Sequence, residues 1–421
     1  MQEGTKKHMK EDSISMRGEN YASFTEDGAW CFFADPRAVR YVGQQDRTYV
    51  GWLTRHGHVM IGTYDHRDGT LDSVTIKPSL QQDDHANPSL YFPADGRAII
   101  YYSAHNGKTM YYRKMETAED ITSFSAEQEL PENTSGMHGY TYPNPIYVGQ
   151  ERKLYLFWRG GNFKPNFSTC PDEEGAWSEP QTLIMGDGAR PYVKYAGNGE
   201  DTIYFAFTDG HPNIEPHNCI YFACIQDGIV YRADRSAIKP ASGLPMLPRD
   251  ADVVFDGILH DAKAWIWDIA VDASGRPAIV YAVFHSDTDH RYWYSYWNGD
   301  SWENHEMTAG GSWFPQTVQD AVEREPFYSG GLILDHADPA NVYLSRSVNG
   351  IFEIEHWHTA DHGKTWESTA VTTGSSRNNV RPVLARSSGQ EDALLLWMHG
   401  DYVHFTGYET ALKMKTVMGK Q

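Results

Sequence analysis

Residues 83–107 read DDHANPSLYFPADGRAIIYYSAHNG. Two runs rich in aromatic and β-branched residues, SLYF and AIIYY, flank a turn centred on Asp95-Gly96. Such a pattern is a β-hairpin: the flanks fit a pleated, half-buried surface, and glycine supplies the positive φ of the turn. His85 stands ten positions before Asp95 and His105 ten after it. Antiparallel pairing brings these two histidines to the same height, one on each leg.

The phrase recurs along the chain as a small polar residue with proline, a strand, a turn and a second strand. It begins near Ala34, Ala86, Pro143, Ala189, Trp267, Tyr328 and Val380, at spacings of roughly 45 to 80 residues. Each hairpin is followed by further strand-like sequence, such as TMYYRKM, NCIYFACI and FEIEHWHTADHGKTWEST. Helical periodicity is nearly absent. Four strands in each of seven units make an all-β, seven-bladed β-propeller of four-stranded antiparallel blades. Thr359–Trp366 (TADHGKTW) resembles the Asp-box turn of BNR-repeat propellers. The last unit shows only three strands, so the ring needs one more, and the apolar run GAWCFFA (28–34) is expected to supply it from the N-terminal side. Residues 1–20 then form a polar, frayed leader, and 21–421 a single catalytic propeller domain.

Composition bounds the partners. The net charge of −20 repels nucleic acid and anionic membranes, so neither is expected as a partner, and no apolar run approaches membrane-spanning length. Four cysteines, without a CxxC pair, read as reduced structural thiols. MQEGTKKHMKEDSISMRGEN lacks the apolar core of a secretion signal, which implies a cytoplasmic protein if Met1 is the natural start. A monomer is expected.

In a propeller the first strand of each blade lines the central channel and the second returns to the same face. Residues just before strand one and just after strand two therefore gather around one mouth, with paired strands about 5 Å apart. Applied to every unit, this rule places Arg55-His56, His105, Arg159, His211, His285, Arg346 and His399 after the second strands. Before the first strands it places His85, Tyr142, Arg190 with Tyr192, Asp268, Tyr328 and Arg381. Every unit thus brings a His or Arg to the mouth, in a chain with only 36 Lys and Arg. The expected funnel is cationic and aromatic, suited to an anionic glycan that contains uronate.

The funnel offers no Ser-His-Asp set, phosphate loop or HExxH motif, and no pair of carboxylates of the kind glycosidases use. Its His, Tyr and Arg suit β-elimination on a uronic acid. A cation on the carboxylate spreads the charge that develops when C5 loses its proton, a base near neutral pKa takes that proton, and an acid protonates the leaving O4. No cofactor is required when arginine supplies the charge.

These residues carry a resemblance to the BNR-repeat polysaccharide lyases with a seven-bladed propeller, namely ulvan lyases and the rhamnose-α-1,4-glucuronate lyases. It rests on His85 in DDHANP, His105 in YYSAHNG, Tyr142 in TYPNP, Arg159 in FWRGG, Tyr192 in ARPY, His211 in TDGHPN and Arg346 in YSGGLILDHADPANVYLSR, over residues 30–410. The resemblance implies that His105 and Tyr142 transfer protons, without dividing base from acid, and that Arg159 neutralises the carboxylate with help from His85. Tyr192, His211, Arg190, Arg346, Arg381 and Tyr328 would hold flanking sugar groups. The same superfamily includes α-L-rhamnosidases, so a hydrolase acting on rhamnosyl-glucuronate and a non-catalytic glycan-binding propeller are the competing readings.

His211, His217, Cys219 and Cys224 fall within fourteen residues and raise the question of a structural metal, zinc or calcium. An offset of five places Cys219 and Cys224 on opposite sides of one strand, which favours buried thiols over a metal site.

Overall fold

Each repeated phrase forms two hydrogen-bonded strands in the computed structural model, which describes residues 20–130, 132–172, 175–186, 190–311, 328–387 and 392–418. The leader expected over residues 1–20 lies, apart from Asn20, outside the described residues. Seven antiparallel sheets follow one another along the chain, over residues 38–77, 89–129, 141–182, 193–255, 263–311, 332–370 and 379–417, here called blades 1 to 7. Within each, strands pair in the order of the sequence, and the first strands of neighbouring blades pack against one another around the axis. Gly96, at the tip of the opening hairpin, has φ +73°, a conformation that a side chain at this turn would strain. Blade 4 is larger than the rest, with six strands, because Ile229–Tyr231, Ala237–Pro240 and Asp252–Phe255 all add to it.

The Asp-box turn of blade 6 is held by side-chain hydrogen bonds. Asp361 Oδ1 accepts from the Thr365 N–H at 2.8 Å and its Oδ2 from the Thr365 hydroxyl at 2.7 Å. The Thr359 Oγ1 accepts from the Gly363 N–H at 2.7 Å, and Trp366 Nε1 donates to the Gly363 carbonyl at 3.0 Å. The short polar side chains do the work of a ladder that has ended.

The ring closes through the N-terminal side of the chain, as expected, but through a different segment. Ala22–Thr25 pairs antiparallel with Gly407–Val417 and completes blade 7. GAWCFFA is not that strand. Residues 28–34 are all buried and cross the central channel. Their polar groups find partners on five blades. Ala29 exchanges backbone bonds with Leu53 (2.8 and 3.0 Å), and the Cys31 N–H reaches Asn87 Oδ1 at 3.0 Å. The Phe33 carbonyl accepts from Asn144 Nδ2 at 2.8 Å, Lys194 Nζ donates to the Phe32 carbonyl, and Arg381 Nη1 donates to the Trp30 carbonyl at 2.8 Å. An apolar run satisfied by scattered side chains has no need of a strand partner. Phe32 stacks on Trp267 with centroids 3.8 Å apart, and Phe33 lies 4.9 Å from Tyr192 and 5.4 Å from Tyr142. This segment floors the funnel.

The floor is pinned by a buried ion triplet. Asp35 accepts from Arg37 Nε at 2.9 Å and pairs with Lys194 Nζ, and all three side chains are nearly inaccessible. Removing Asp35 strands two buried cations, and loss of one partner of a buried ion pair typically costs about 3–5 kcal/mol. Asp35→Asn is therefore expected to lower the unfolding free energy by an amount of that order, read as a lower midpoint in denaturant. An unchanged midpoint would mean that Asp35 does not hold the floor.

Candidate functional site

The 3₁₀ turn Asp84–Ala86 precedes the first strand of blade 2, and Asp83 caps it, with Oδ1 accepting from the His85 N–H at 3.0 Å. Ser89 is paired with Tyr101, so the chain four residues before and four after this pair lies side by side. The rings of His85 and His105 are stacked there, with centroids 4.2 Å apart and planes within 8°. Asp83 joins them. Its Oδ1 lies 2.7 Å from His85 Nδ1 and its Oδ2 2.8 Å from His105 Nδ1.

Blade 3 supplies the neighbours through the pairing of Thr141 with Arg159. Arg159 Nη2 lies 3.0 Å from His105 Nε2, and Nη1 donates to the Tyr192 hydroxyl at 3.2 Å. The guanidinium lies over Phe163 at 4.5 Å and over Tyr142 at 4.8 Å. The Tyr142 ring sits 5.6 Å from His85 at φ +62°, and its hydroxyl has no hydrogen-bond partner among the described residues. From Tyr142 an arc of rings continues through Tyr192 (6.2 Å), His211 (5.5 Å from Tyr192), Trp265 (4.5 Å from His211) and Tyr328 (5.4 Å from Trp265). Phe405 from blade 7 stands edge-on to both stacked histidines, 4.8 Å from His85 and 5.9 Å from His105. Arg190 lies over Phe163 at 5.1 Å and makes no ion pair among the described residues.

Thus His85, His105, Tyr142, Arg159, Tyr192, His211, Arg190 and Tyr328 share one cluster. Other expected residues do not. Arg346 is paired with Glu355 at 2.7 Å on its own blade, His56 is an exposed turn residue, and His285 is exposed near the end of the strand Pro277–Ser286. Arg381 is buried and engaged on three sides, with Asp84 (2.5 Å), the Trp30 carbonyl and the Tyr402 hydroxyl (3.0 Å), so it supports the His85 turn from below instead of holding a sugar. Asp268 is not at the start of its strand. Blade 5 begins at Lys263, and Asp268 sits mid-strand with its Oδ2 between the Leu334 N–H (3.0 Å) and His336 Nε2 (3.1 Å). Asp83, Asp84, Phe163, Trp265, Tyr402 and Phe405 are the site residues that sequence reading missed. The run DDH was the one available signal, two acids beside a singled-out histidine.

A family model described as a BNR repeat-containing family member matches residues 47–309. The chain belongs to the BNR repeat-containing family. Among solved structures, this BNR-repeat protein is similar in fold to a PL25 ulvan lyase bound to -[GlcA(1-4)Rha3S]-, with a TM-score of 0.70 and 15% identity over 94% of this chain and 95% of that one. It is also similar to the polysaccharide lyase Uly1, with a TM-score of 0.58 and 12% identity over 96% and 100% of the two chains. A third likeness is to the BP39L lectin from Burkholderia pseudomallei, with a TM-score of 0.52 and 11% identity over 92% and 98%. At such identities the likeness speaks for the fold. No curated protein matches the chain significantly.

The electrostatics of the BNR-repeat site separate its two stacked histidines. Burial opposes an imidazolium at His85, yet the neighbouring Cys31 and then the hydrogen bonds to the Asp83 and Asp84 carboxylates raise its pKa well above the ordinary histidine value. His105 goes the other way, pulled down to about 4 by burial and then by the neighbouring His85, despite its bond to Asp83. Burial, with Arg190 and Arg159 beside it, lowers His211 to about 3. Burial also raises Tyr142 well above the usual phenol range, so its hydroxyl keeps its proton at neutral pH. These environments favour a proton on His85, a neutral imidazole at His105 and a protonated phenol at Tyr142, beside the Arg159 guanidinium.

Among the described residues, two sets of side chains have ligand atoms close enough to share a metal, namely Asp83, His85 and His105, and Cys31, Asp84 and His85. In both, His85 Nδ1 already meets the carboxylates, and Arg159 stands beside His105 Nε2. A cation would have to break these bonds and bear the guanidinium charge. The His/Cys group in blade 4 does not converge. His217 pairs with Asp261 at 3.0 Å, while Cys219 and Cys224 are buried in different hydrophobic clusters on opposite sides of their strand.

Proposed function

We propose that this protein is a polysaccharide lyase that cleaves the bond to O4 of a glucuronate in a rhamnose–glucuronate glycan, such as ulvan or gum arabic side chains, by β-elimination. The observation that carries the reading is the pair of stacked imidazoles set against Arg159 and Tyr142. Arg159 and the His85 imidazolium take the uronate carboxylate, which leaves His105 Nε2 free of its guanidinium partner. His105 Nε2 then accepts the C5 proton. The C5–H electron pair becomes the C4=C5 double bond as the C4–O4 bond breaks, and the Tyr142 hydroxyl gives its proton to the departing O4. The proton on His105 returns to Tyr142 before the next turnover. Tyr192, His211, Arg190 and Tyr328 contact the flanking sugars. Similarity in fold to a lyase bound to a glucuronate–rhamnose glycan is consistent with this substrate class.

The test is ultraviolet absorbance during incubation with ulvan and with gum arabic. The expected result is a progressive rise on one of them, from the unsaturated uronate. A flat trace on both, and on other uronate glycans, would reject the proposal.

A further inference from the structure

Asp83 takes part in no proton transfer in the scheme above, yet it touches both imidazoles. It is buried, and its two oxygens accept three N–H groups: the His85 backbone, His85 Nδ1 and His105 Nδ1. An ionised carboxylate only accepts, so each ring must carry its hydrogen on Nδ1. The second nitrogen of His105 is assigned by Arg159, which can only donate. With Nη2 at 3.0 Å, His105 Nε2 must present a lone pair. His105 is then neutral.

His85 is different. Its Nδ1 lies 2.7 Å from Asp83 and 3.0 Å from Asp84, and Nε2 has no partner among the described residues. Around the pair stand two carboxylates, Asp83 and Asp84, and two buried cations, Arg381 bound to Asp84 and Arg159 beside His105. His85 alone turns its Nδ1 to both carboxylates and keeps its other nitrogen away from either guanidinium, so it is the ring on which a second proton is favoured. A second imidazolium at 4.2 Å would repel the first. The remaining titratable neighbours are Cys31, Tyr142, Tyr402 and Tyr408, all buried.

We infer that Asp83 is a positioning residue that holds two stacked imidazoles in opposite protonation states, keeping a lone pair on His105 Nε2 for the substrate proton and an N–H on His85 Nε2 for the substrate carboxylate. The catalytic half of this inference rests on the lyase reading. The protonation half does not, because it concerns the free protein. One carboxylate thereby makes a base and an electrophile out of the same residue type, by fixing one tautomer and pairing one charge. The two imidazoles titrate as a coupled pair with apparent values that belong to both.

Asp83→Asn tests it with little change of shape. An amide accepts from one Nδ1–H at a time and no longer balances the imidazolium, so His85 loses its proton at lower pH. On a uronate glycan the variant is expected to lose about 10²-fold in kcat/KM at neutral pH, within the span of proton-transfer effects, and its alkaline limb is expected to move to lower pH. A loss of equal size at every pH would mark a merely structural role and overturn the inference. Nitrogen-15 NMR of histidine-labelled protein without substrate reads the protonation half directly, with His85→Gln and His105→Gln to assign the signals. Wild type is expected to show one imidazolium and one neutral Nδ1–H ring at neutral pH, and Asp83→Asn two neutral rings. Two rings in the same state in wild type would overturn the inference whether or not the protein proves to be a lyase, and whether or not the variant folds.

Discussion

Alanine in place of His105 is expected to lower kcat on the cognate uronate glycan by about 10²–10⁴-fold, with a much smaller change in KM. The imidazole is the one group at the site with an available lone pair beside the guanidinium, since Asp83 engages Nδ1 and Arg159 approaches Nε2. Its low pKa, about 4, keeps it deprotonated across the neutral range. Activity on the acid side should therefore persist down to that region and fall below it, while the His105→Ala protein should show a weak, nearly flat acid limb. The side chain is part-buried, and its removal leaves Asp83 bonded to His85, so the fold should survive. Steady-state kinetics with a thermal midpoint as control checks this. A His105→Ala variant within tenfold of wild type would remove the base from the scheme.

Lysine in place of Arg159 is expected to cost about 10²–10³-fold in kcat although the charge is kept. Arg159 does several things that an ammonium cannot do together. One arm reaches His105 Nε2, the other reaches the Tyr192 hydroxyl, and the plane stacks between Phe163 and Tyr142. A planar fork held this way can turn from the imidazole to a carboxylate without leaving its aromatic bed, which pre-organises the charge where it develops. Arg159→Met should be slower still. The check is kcat for both variants on one glycan, and equal activity of Arg159→Lys and wild type would show that point charge suffices.

The hairpin phrase carried most of the architecture. Its apolar alternation and Gly or Asn turns mark the first two strands of each blade, and ring geometry does the rest, which is why His85, His105, Tyr142, Arg159, Tyr192 and His211 were found together from spacing alone. Where reading failed, the cause was local. GAWCFFA has the composition of a buried strand, and burial on all sides is what it achieves, but across the channel with partners on five blades, four of them side chains. The closing strand, ASFT, is short and only partly buried, so it gives almost no periodic signal. Asp268 was misplaced because the first strand of blade 5 begins at Lys263, four residues before the start of the repeated phrase at Trp267. Arg346 and Arg381 obeyed the spacing rule, but Glu355 on the same blade and Asp84 from the turn before blade 2 neutralise them, and ion pairing of either kind leaves no trace in a linear pattern. Phe405 and Tyr402 come from the far end of the chain, where only the closure of the ring brings them to blade 2.

The central claim is that the site removes a proton and expels O4, with no water added across the bond. Digestion of the cognate glycan in heavy-oxygen water, followed by mass spectrometry of the products, tests it most directly. The account predicts an unsaturated uronate end that is lighter than the saturated sugar by one water and carries no heavy oxygen. A saturated uronate with heavy oxygen at the newly freed end of either fragment would contradict it and make the protein a hydrolase.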